Sequence, residues 1–156
     1  MRDLKPRFSH VGICITDMQR SIAFYRDGLG FEPGTQPTVD PTFGYEGLVG
    51  VETPLTMINQ FMRLGAMVIE LIEFRSPSPV EPDSAPRMMN KIGYTHLSLR
   101  YPDVFAKARQ LETLGGAIVH SSRTREEMFG GEIIFVLDPD GNRIELMSYG
   151  DEVQFA

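Results

Sequence analysis

The stretch SHVGICITDMQRSIAFYRDGLGF (residues 9–31) returns in altered form as THLSLRYPDVFAKARQLETLGGA (residues 95–117). Each copy opens with a polar residue and a histidine, reaches an aspartate seven places later, and then shows apolar residues at helical spacing. Gly30 and Gly115 are natural stops for the two predicted helices. Self-similarity over this length predicts an internal duplication, so each copy is interpreted as the start of one structural module.

Three strand-like runs follow each predicted helix. In the first copy they are YEGLVGV (45–51), LTMINQFM (55–62) and AMVIELIEF (66–74). In the second copy they are AIVHSS (117–122), EIIFVLD (132–138) and RIELMSY (143–149). The sequence therefore predicts an α+β fold of two tandem βαβββ modules within one domain, with extra loop in the first module at 33–44. Module one covers about 7–76, a proline-rich linker 77–91, and module two about 92–150.

The alternation of side chains along the predicted strands places four polar residues on one face. Val11, Ile13 and Ile15 form an apolar face suited to a helix, which leaves His10 pointing the other way. The same rule turns His96 and the glutamates of the two Ile-Glu-Leu tripeptides, Glu70 and Glu145, away from the helix side. Carboxylates on a concave face need a counter-ion, and a divalent metal would supply one. If each module's sheet curves so that this face becomes concave, the two histidines and two carboxylates converge, and the predicted architecture is a curved mixed sheet around a metal-binding cavity.

Composition narrows the range of functions. The 156 residues contain 21 acidic and 15 basic side chains, without a basic cluster, which argues against a nucleic-acid partner. Cys14 is the only cysteine, so no disulfide framework is expected and a cytoplasmic location is favoured. No apolar run has the length of about 18 residues that a membrane span needs, so no membrane partner is expected.

The paired modules resemble the vicinal oxygen chelate superfamily over about residues 7–150. This superfamily contains glyoxalase I, methylmalonyl-CoA epimerase, extradiol dioxygenases, and bleomycin- and fosfomycin-resistance proteins. The first helix, TDMQRSIAFYRDGLGF, and the closing DPDGNRIEL are the segments that carry the resemblance most specifically. The resemblance implies the fold more strongly than the reaction, because one fold hosts many chemistries.

The resemblance also implies a metal site. His10, Glu70, His96 and Glu145 match the four ligand positions of the superfamily, and a Glu at position 70 is typical of its isomerase and lyase branches. Such a site would hold one divalent ion, Zn, Ni, Co or Mn, or Fe(II) in a dioxygenase. The implied activity is a metal-dependent isomerase or lyase of glyoxalase or epimerase type, which stabilises an enolate of a small carbonyl or thioester substrate.

The general base of that reaction would be a glutamate. The resemblance to glyoxalase I implies that Glu145 or Glu70 leaves the metal to act as base, and Glu145 is preferred. Glu52 is a weaker candidate for a base that does not bind the metal. Two further classes stay open: a ferrous extradiol-type dioxygenase, and a non-catalytic small-molecule-binding protein of the resistance type.

Two positions bear on the substrate. Bacterial glyoxalase I typically has an arginine four residues after its first histidine, whereas this chain has Cys14 there, which argues against glutathione. Arg100, four residues after His96, is expected to point into the cavity and to bind an anionic group, or else to pair with a surface carboxylate. Exposed edges of the two open sheets favour a homodimer.

The remaining conspicuous side chains have ordinary interpretations. Cys14 is expected to be a small core or cavity residue, and His120 a surface or structural residue without a counterpart in module one. Glu73 is interpreted as a solvated strand residue. Phe24 and Tyr25 lie at helical spacing and are expected in the core.

Overall fold

The computed structural model describes residues 5–51, 54–80, 88–126 and 130–149 of the chain. The described residues form two units, one within 1–18 and 30–79, the other within 19–29 and 80–156. The α-helices are α1 (Met18–Ala23), α2 (Glu46–Val49) and α3 (Val104–Thr113), with a π-helical continuation of α1 at Phe24–Gly28 and a 3-10 turn at Pro41–Phe43. The strands are β1 (Val11–Ile15), β2 (Glu32–Pro33), β3 (Thr38–Val39), β4 (Thr56–Leu64), β5 (Met67–Ser76), β6 (Leu97–Arg100), β7 (Ala117–Glu126), β8 (Gly131–Leu137) and β9 (Arg143–Ser148).

Each unit contains one mixed sheet. In the first unit the order is β1-β5-β4-β2, with β3 also paired to β4, and β1 runs parallel to β5 while the other pairs are antiparallel. In the second unit the order is β6-β9-β8-β7, and β6 runs parallel to β9 while the other pairs are antiparallel. The predicted α+β class with two tandem modules is confirmed. In both sheets the first strand of a module lies beside its last strand.

The predicted alternation along the last strand of each module is also confirmed. Ile69 and Leu71 are fully buried, and the glutamate between them is partly exposed. Ile144 and Leu146 repeat this pattern around Glu145 in the second unit. Since successive side chains of a strand point to opposite faces, both glutamates lie on the face opposite the buried aliphatic residues.

The first predicted helix is present as α1 and its π-helical continuation, and Gly30 follows it with a φ of 81°. Phe24 and Tyr25 are buried, and Asp103 caps α3 by accepting hydrogen bonds from the backbone N–H groups of Phe105 and Ala106. Residues 19–29 group with the second unit, where the ammonium group of Lys107 donates to the carbonyl of Gly28. No helix among the described residues has the length and apolar character that crossing a membrane requires.

The prediction of a strand at YEGLVGV (45–51) was wrong. Residues Glu46–Val49 form α2 instead, and Gly50 ends it in the left-handed region with a φ of 68°. The alternation of small and apolar residues in this stretch resembles a strand, but a turn of helix satisfies its backbone groups locally. The short strands β2 and β3 pair with β4 in its place.

The interpretation of Glu73 as a solvated residue was also wrong. Glu73 is 4% exposed and lies on the face opposite Glu70. Its carboxylate accepts a hydrogen bond from the backbone N–H of Met18 and pairs with the guanidinium of Arg75 at 3.0 Å. A buried carboxylate is retained at this position because both partners compensate for its lost hydration.

A second buried carboxylate, Asp138, organises the turn before β9. It accepts hydrogen bonds from the Tyr25 hydroxyl, from the backbone N–H groups of Asp140 and Asn142, and from the Asn142 side chain. Burial raises the pKa of Asp138, and this effect outweighs the lowering of the pKa by these hydrogen bonds. Burial and the neighbouring Asp138 carboxylate raise the pKa of the Tyr25 phenol.

We expect Asp138 to make stability depend on pH. Because its pKa is raised in the folded state, the folded chain holds this proton more tightly than the unfolded chain, so the stabilisation is lost as pH rises through the raised value. The free energy of unfolding of the wild type, relative to that of Asp138→Asn, should therefore fall as the pH rises above about 4, the ordinary pKa of an aspartate. Urea unfolding of both proteins measures this difference, and a difference that grows with pH would contradict the expectation.

Candidate metal centre

The first unit brings His10 and Glu70 together. Glu70 lies on β5 opposite Gly12 of β1, and the imidazole just before that strand faces its carboxylate. His10 Nε2 lies 3.2 Å from Glu70 Oε2. His10 Nδ1 is 2.9 Å from the Ser9 hydroxyl, and the edge of the Phe61 ring packs against the imidazole with centroids 5.4 Å apart. The hydroxyl engages one ring nitrogen, so the other nitrogen is directed at the carboxylate.

The second unit repeats this arrangement with His96 and Glu145. Glu145 lies on β9 opposite Ser98 of β6, and His96 Nε2 is 3.4 Å from its Oε2. His96 Nδ1 is 2.9 Å from the Thr95 hydroxyl, and the Phe135 ring packs against the imidazole with centroids 5.4 Å apart. Each unit therefore holds one imidazole–carboxylate pair, oriented by a hydroxyl and flanked by a phenylalanine.

Strand register explains why the two pairs match. Phe61 of β4 lies opposite Glu70 of β5, and Phe135 of β8 lies opposite Glu145 of β9. Both glutamates are largely shielded, with side chains 13% and 15% exposed, while the histidines remain more accessible. The two modules therefore match in sequence and also in the contact between each histidine and a phenylalanine ring. We interpret the two imidazole–carboxylate pairs as having the same role.

The donor atoms of each pair fit a divalent ion. Two ligands at about 2.1 Å from one metal stand roughly 2.9–3.4 Å apart in octahedral or tetrahedral geometry. The nitrogen–oxygen distances of 3.2 and 3.4 Å fall in this range. Among the described residues, His, Cys, Asp and Glu side chains form no group of three or more suited to hold a metal ion, so each pair offers two ligands.

The two glutamates differ in their remaining hydrogen bonds. The amide Nδ2 of Asn59 donates to Glu70 Oε1 at 2.9 Å, whereas the hydroxyl of Ser98 donates to Glu145 Oε2 at 2.7 Å. Sequence reasoning missed both partners. A signal was present for Asn59, since it is a polar residue two places before Phe61 in an apolar run and therefore on the same face of the strand.

The other candidate residues lie as follows. Arg100 is exposed, and its guanidinium stacks 4.2 Å above the Tyr149 ring. Cys14 was expected to be a small core or cavity residue. It is exposed, so a core position is wrong, and it shares a strand face with Gly12, which lies opposite Glu70. His120 is exposed on β7, as expected of a surface residue. Glu52 lies outside the described residues.

Comparison with known proteins identifies the family. A family model, Glyoxalase/Bleomycin resistance protein/Dioxygenase superfamily, matches residues 7–146. No curated protein sequence gives a significant match.

Solved structures share the fold at low sequence identity. A glyoxalase family protein from Bacillus cereus has a TM-score of 0.78 at 18% identity, covering 96% of this chain and 98% of that chain. The fosfomycin resistance protein FosX from Listeria monocytogenes, complexed with Mn(II) and sulfate, has a TM-score of 0.62 at 16% identity, with 96% and 97% coverage. Glyoxalase I from Zea mays has a TM-score of 0.64 at 20% identity, and the match covers 91% of this chain and 44% of the maize enzyme. The family model spans most of the chain, so this protein belongs to the Glyoxalase/Bleomycin resistance protein/Dioxygenase superfamily.

Proposed function

We propose that this protein is a divalent-metal-dependent isomerase or lyase that moves a proton next to a carbonyl or thioester group of a small substrate. The observation that carries the proposal is the duplicated imidazole–carboxylate pair, at equivalent strand positions and with matching distances. Family membership supports it, and the similar folds include glyoxalase I from maize and a Mn(II)-bound FosX.

His10, Glu70, His96 and Glu145 would hold the metal. Two imidazoles and two carboxylates suit Zn, Ni, Co or Mn. The bound ion would supply Lewis-acid stabilisation of the negative charge that develops on the substrate oxygen. The Ser9 and Thr95 hydroxyls hold the Nδ1 side of each imidazole, so that Nε2 remains directed toward the carboxylate.

Glu145 is the better candidate for the general base. A base must be stable both as a carboxylate and, after it takes a proton, as a carboxylic acid. The Ser98 hydroxyl donates to the carboxylate and, by rotating, can accept from the acid, whereas the Asn59 amide group that contacts Glu70 can only donate. Glu145 would remove a proton from the carbon beside the carbonyl and return it, from the carboxylic acid, to a carbon of the resulting enolate.

We expect Asn59 to act as a positioning residue for Glu70. Its amide occupies Oε1 and thereby directs Oε2 to His10. Asn59→Ala should weaken binding of Mn²⁺ or Zn²⁺ about tenfold, a typical effect of losing a hydrogen bond to a metal ligand. Competition with a chromophoric chelator measures the affinity.

Gln60→Ala is the matched control for this variant. Gln60 is the next residue of β4 and is also buried, but its amide donates to the backbone carbonyls of Gly34 and Phe61 and not to Glu70. If both variants lose affinity equally, the effect would come from disturbance of β4 and not from the contact with Glu70.

The experiment that tests the proposal is metal analysis of the purified protein followed by solvent deuterium exchange. Candidate substrates are methylglyoxal–thiol adducts and methylmalonyl-CoA. Metal-dependent exchange into one of them supports the proposal. Oxygen consumption with a catechol would instead identify a dioxygenase, and tight binding without turnover would identify a sequestering protein of the resistance type.

We expect a homodimer in solution. Among the described residues both sheets are open, with β1 and β6 as edge strands of their own sheets. An unpaired edge favours pairing with another copy, and two-fold dimers are the commonest assemblies. Light scattering coupled to size-exclusion chromatography should give twice the 17.5 kDa mass of the chain. A single-chain mass at micromolar concentration would contradict this.

A further inference from the structure

A cavity of about 420 Å³ lies within the first unit, over the sheet face that carries Glu70. Its floor is formed by alternate residues of β4 and β5, including Asn59, Phe61 and Glu70. Its wall is formed by the segment 37–49, which contains β3, the 3-10 turn and α2. The volume falls within the range of roughly 300–1,000 Å³ that is typical of small-molecule sites.

The wall of the cavity is anchored by a small core of its own. Val39, Leu55 and Met57 are buried together, and Val49 and Ile72 pack against them. These contacts tie the segment to β4 and β5, so packing within the protein holds the wall in place. A preformed site binds with a smaller entropic cost than one that must first be ordered.

Apolar side chains on the cavity wall are open to solvent. Phe43, Tyr45 and Leu48 are 51%, 40% and 78% exposed, and the first two rings lie 5.5 Å apart. Burying apolar surface stabilises by about 25 cal/mol per Å², and these exposed side chains do not gain that free energy. A ligand with an apolar ring would cover them.

The floor contains a hydrogen-bond acceptor without a partner. Asn59 is 7% exposed, and its Oδ1 has no hydrogen-bond partner among the described residues. The amide orientation is set by Glu70, because only the Nδ2 side can donate to the carboxylate. A buried acceptor left unpaired costs about 1–3 kcal/mol, so a ligand N–H or O–H that displaces the groups covering Oδ1 would be favoured.

The charge of the lining limits the ligand further. Of the described residues that line the cavity, Glu70 is the one that carries a formal charge. No Lys, Arg or His is among them. Away from the proposed metal at Glu70, a phosphate or carboxylate in this cavity would meet no compensating Lys, Arg or His among the lining residues, so the part of the ligand that occupies the cavity is uncharged.

We propose that this cavity binds an uncharged, ring-containing apolar group that donates one N–H or O–H hydrogen bond to Asn59 Oδ1. The identification of this group as part of the substrate rests on the proposed function, since Glu70 at the cavity floor is one of the proposed metal ligands. The binding itself does not depend on the metal. This distinguishes the cavity from a site for the charged arms of glutathione or of a phosphate ester.

Fluorescence titration with N-phenyl-1-naphthylamine tests the proposal. This probe is neutral, has aromatic rings and carries a single N–H donor. We expect saturable binding by the full-length protein, both as purified and after chelator treatment, with at least fivefold weaker binding by Leu48→Glu. Ile92→Glu is the matched control, because Ile92 is a 99% exposed aliphatic residue of the second unit. Both wild-type residues are exposed, so neither variant should disturb folding.

The hydrogen bond is tested with 1-phenoxynaphthalene, which has an ether oxygen in place of the N–H. In competition with the first probe, it should bind at least fivefold more weakly to the wild type, and Asn59→Leu should remove this preference. Absence of saturable binding, equal binding by Leu48→Glu, or no preference for the N–H probe would each overturn the proposal. If the probe binds but no substrate undergoes deuterium exchange, only the proposed enzymatic function is overturned. If a substrate undergoes exchange but the probe does not bind, only the cavity assignment is overturned.

Discussion

Replacing Glu145 with glutamine is expected to slow deuterium exchange about 10³-fold while leaving a divalent ion bound. General bases typically contribute 10²–10⁴-fold to proton transfer, and 10³-fold corresponds to about 4 kcal/mol of activation free energy. Glutamine retains a carbonyl oxygen that can bind a metal, and it retains the acceptor for the Ser98 hydroxyl. It cannot take up a proton, so catalysis should be lost without loss of the ion. Exchange rates and metal content measured on the same preparation separate the two effects.

Two further glutamine variants decide between the candidate bases. Glu52→Gln should exchange at the wild-type rate, because Glu52 is not needed if Glu145 is the base. Glu70→Gln should reduce exchange far less than Glu145→Gln, since Glu70 is assigned to binding the ion. If Glu70→Gln abolished exchange and Glu145→Gln did not, the roles of the two glutamates would be reversed.

Replacing either His10 or His96 with alanine is expected to lower the affinity for Zn²⁺ or Mn²⁺ at least 10²-fold. Structural sites with four ligands bind Zn²⁺ with a free energy of roughly 10–16 kcal/mol, which is about 3 kcal/mol for each ligand. A loss of this size corresponds to about a hundredfold change in the dissociation constant. Both variants should lose the same amount if both imidazoles bind one ion. Competition with a chelator, together with metal analysis after dialysis, provides the measurement.

His120→Ala is the matched control for this pair of variants. It removes the third histidine of the chain, which is exposed on β7. Its affinity and metal content should equal those of the wild type. Loss of metal in one of the two other histidine variants alone would show that the two imidazole–carboxylate pairs do not serve the same ion.

Most of the fold could be predicted from the sequence because its signals are local. The helices after Asp17 and Asp103 and the strands around Glu70 and Glu145 follow periodicities that depend only on backbone geometry. The segment 45–51 was predicted incorrectly as a strand. Short helices and short strands overlap in pattern, and the pairing of β2 and β3 with β4 decides the outcome here.

The candidate site was predicted in part. His10 with Glu70, and His96 with Glu145, are brought together within their own units as the alternation indicates. Asn59 and Ser98 were missed because both are ordinary strand residues until strand register places them beside a carboxylate. Glu73 was misjudged for the same reason, since its partners Met18 and Arg75 become visible only in three dimensions.

The sequence by itself determined the duplication, the long strands and helices of each module, and the strand face that carries the two glutamates. These properties follow from a period of two along a strand and about 3.6 along a helix, which every residue obeys independently of distant contacts. Only the tertiary structure decided which carboxylate oxygen faces each imidazole, which donor holds the other oxygen of Glu70, and that the segment 37–49 encloses a cavity over it. Those features depend on side-chain rotamers and on packing between residues distant in the chain, which no local pattern encodes.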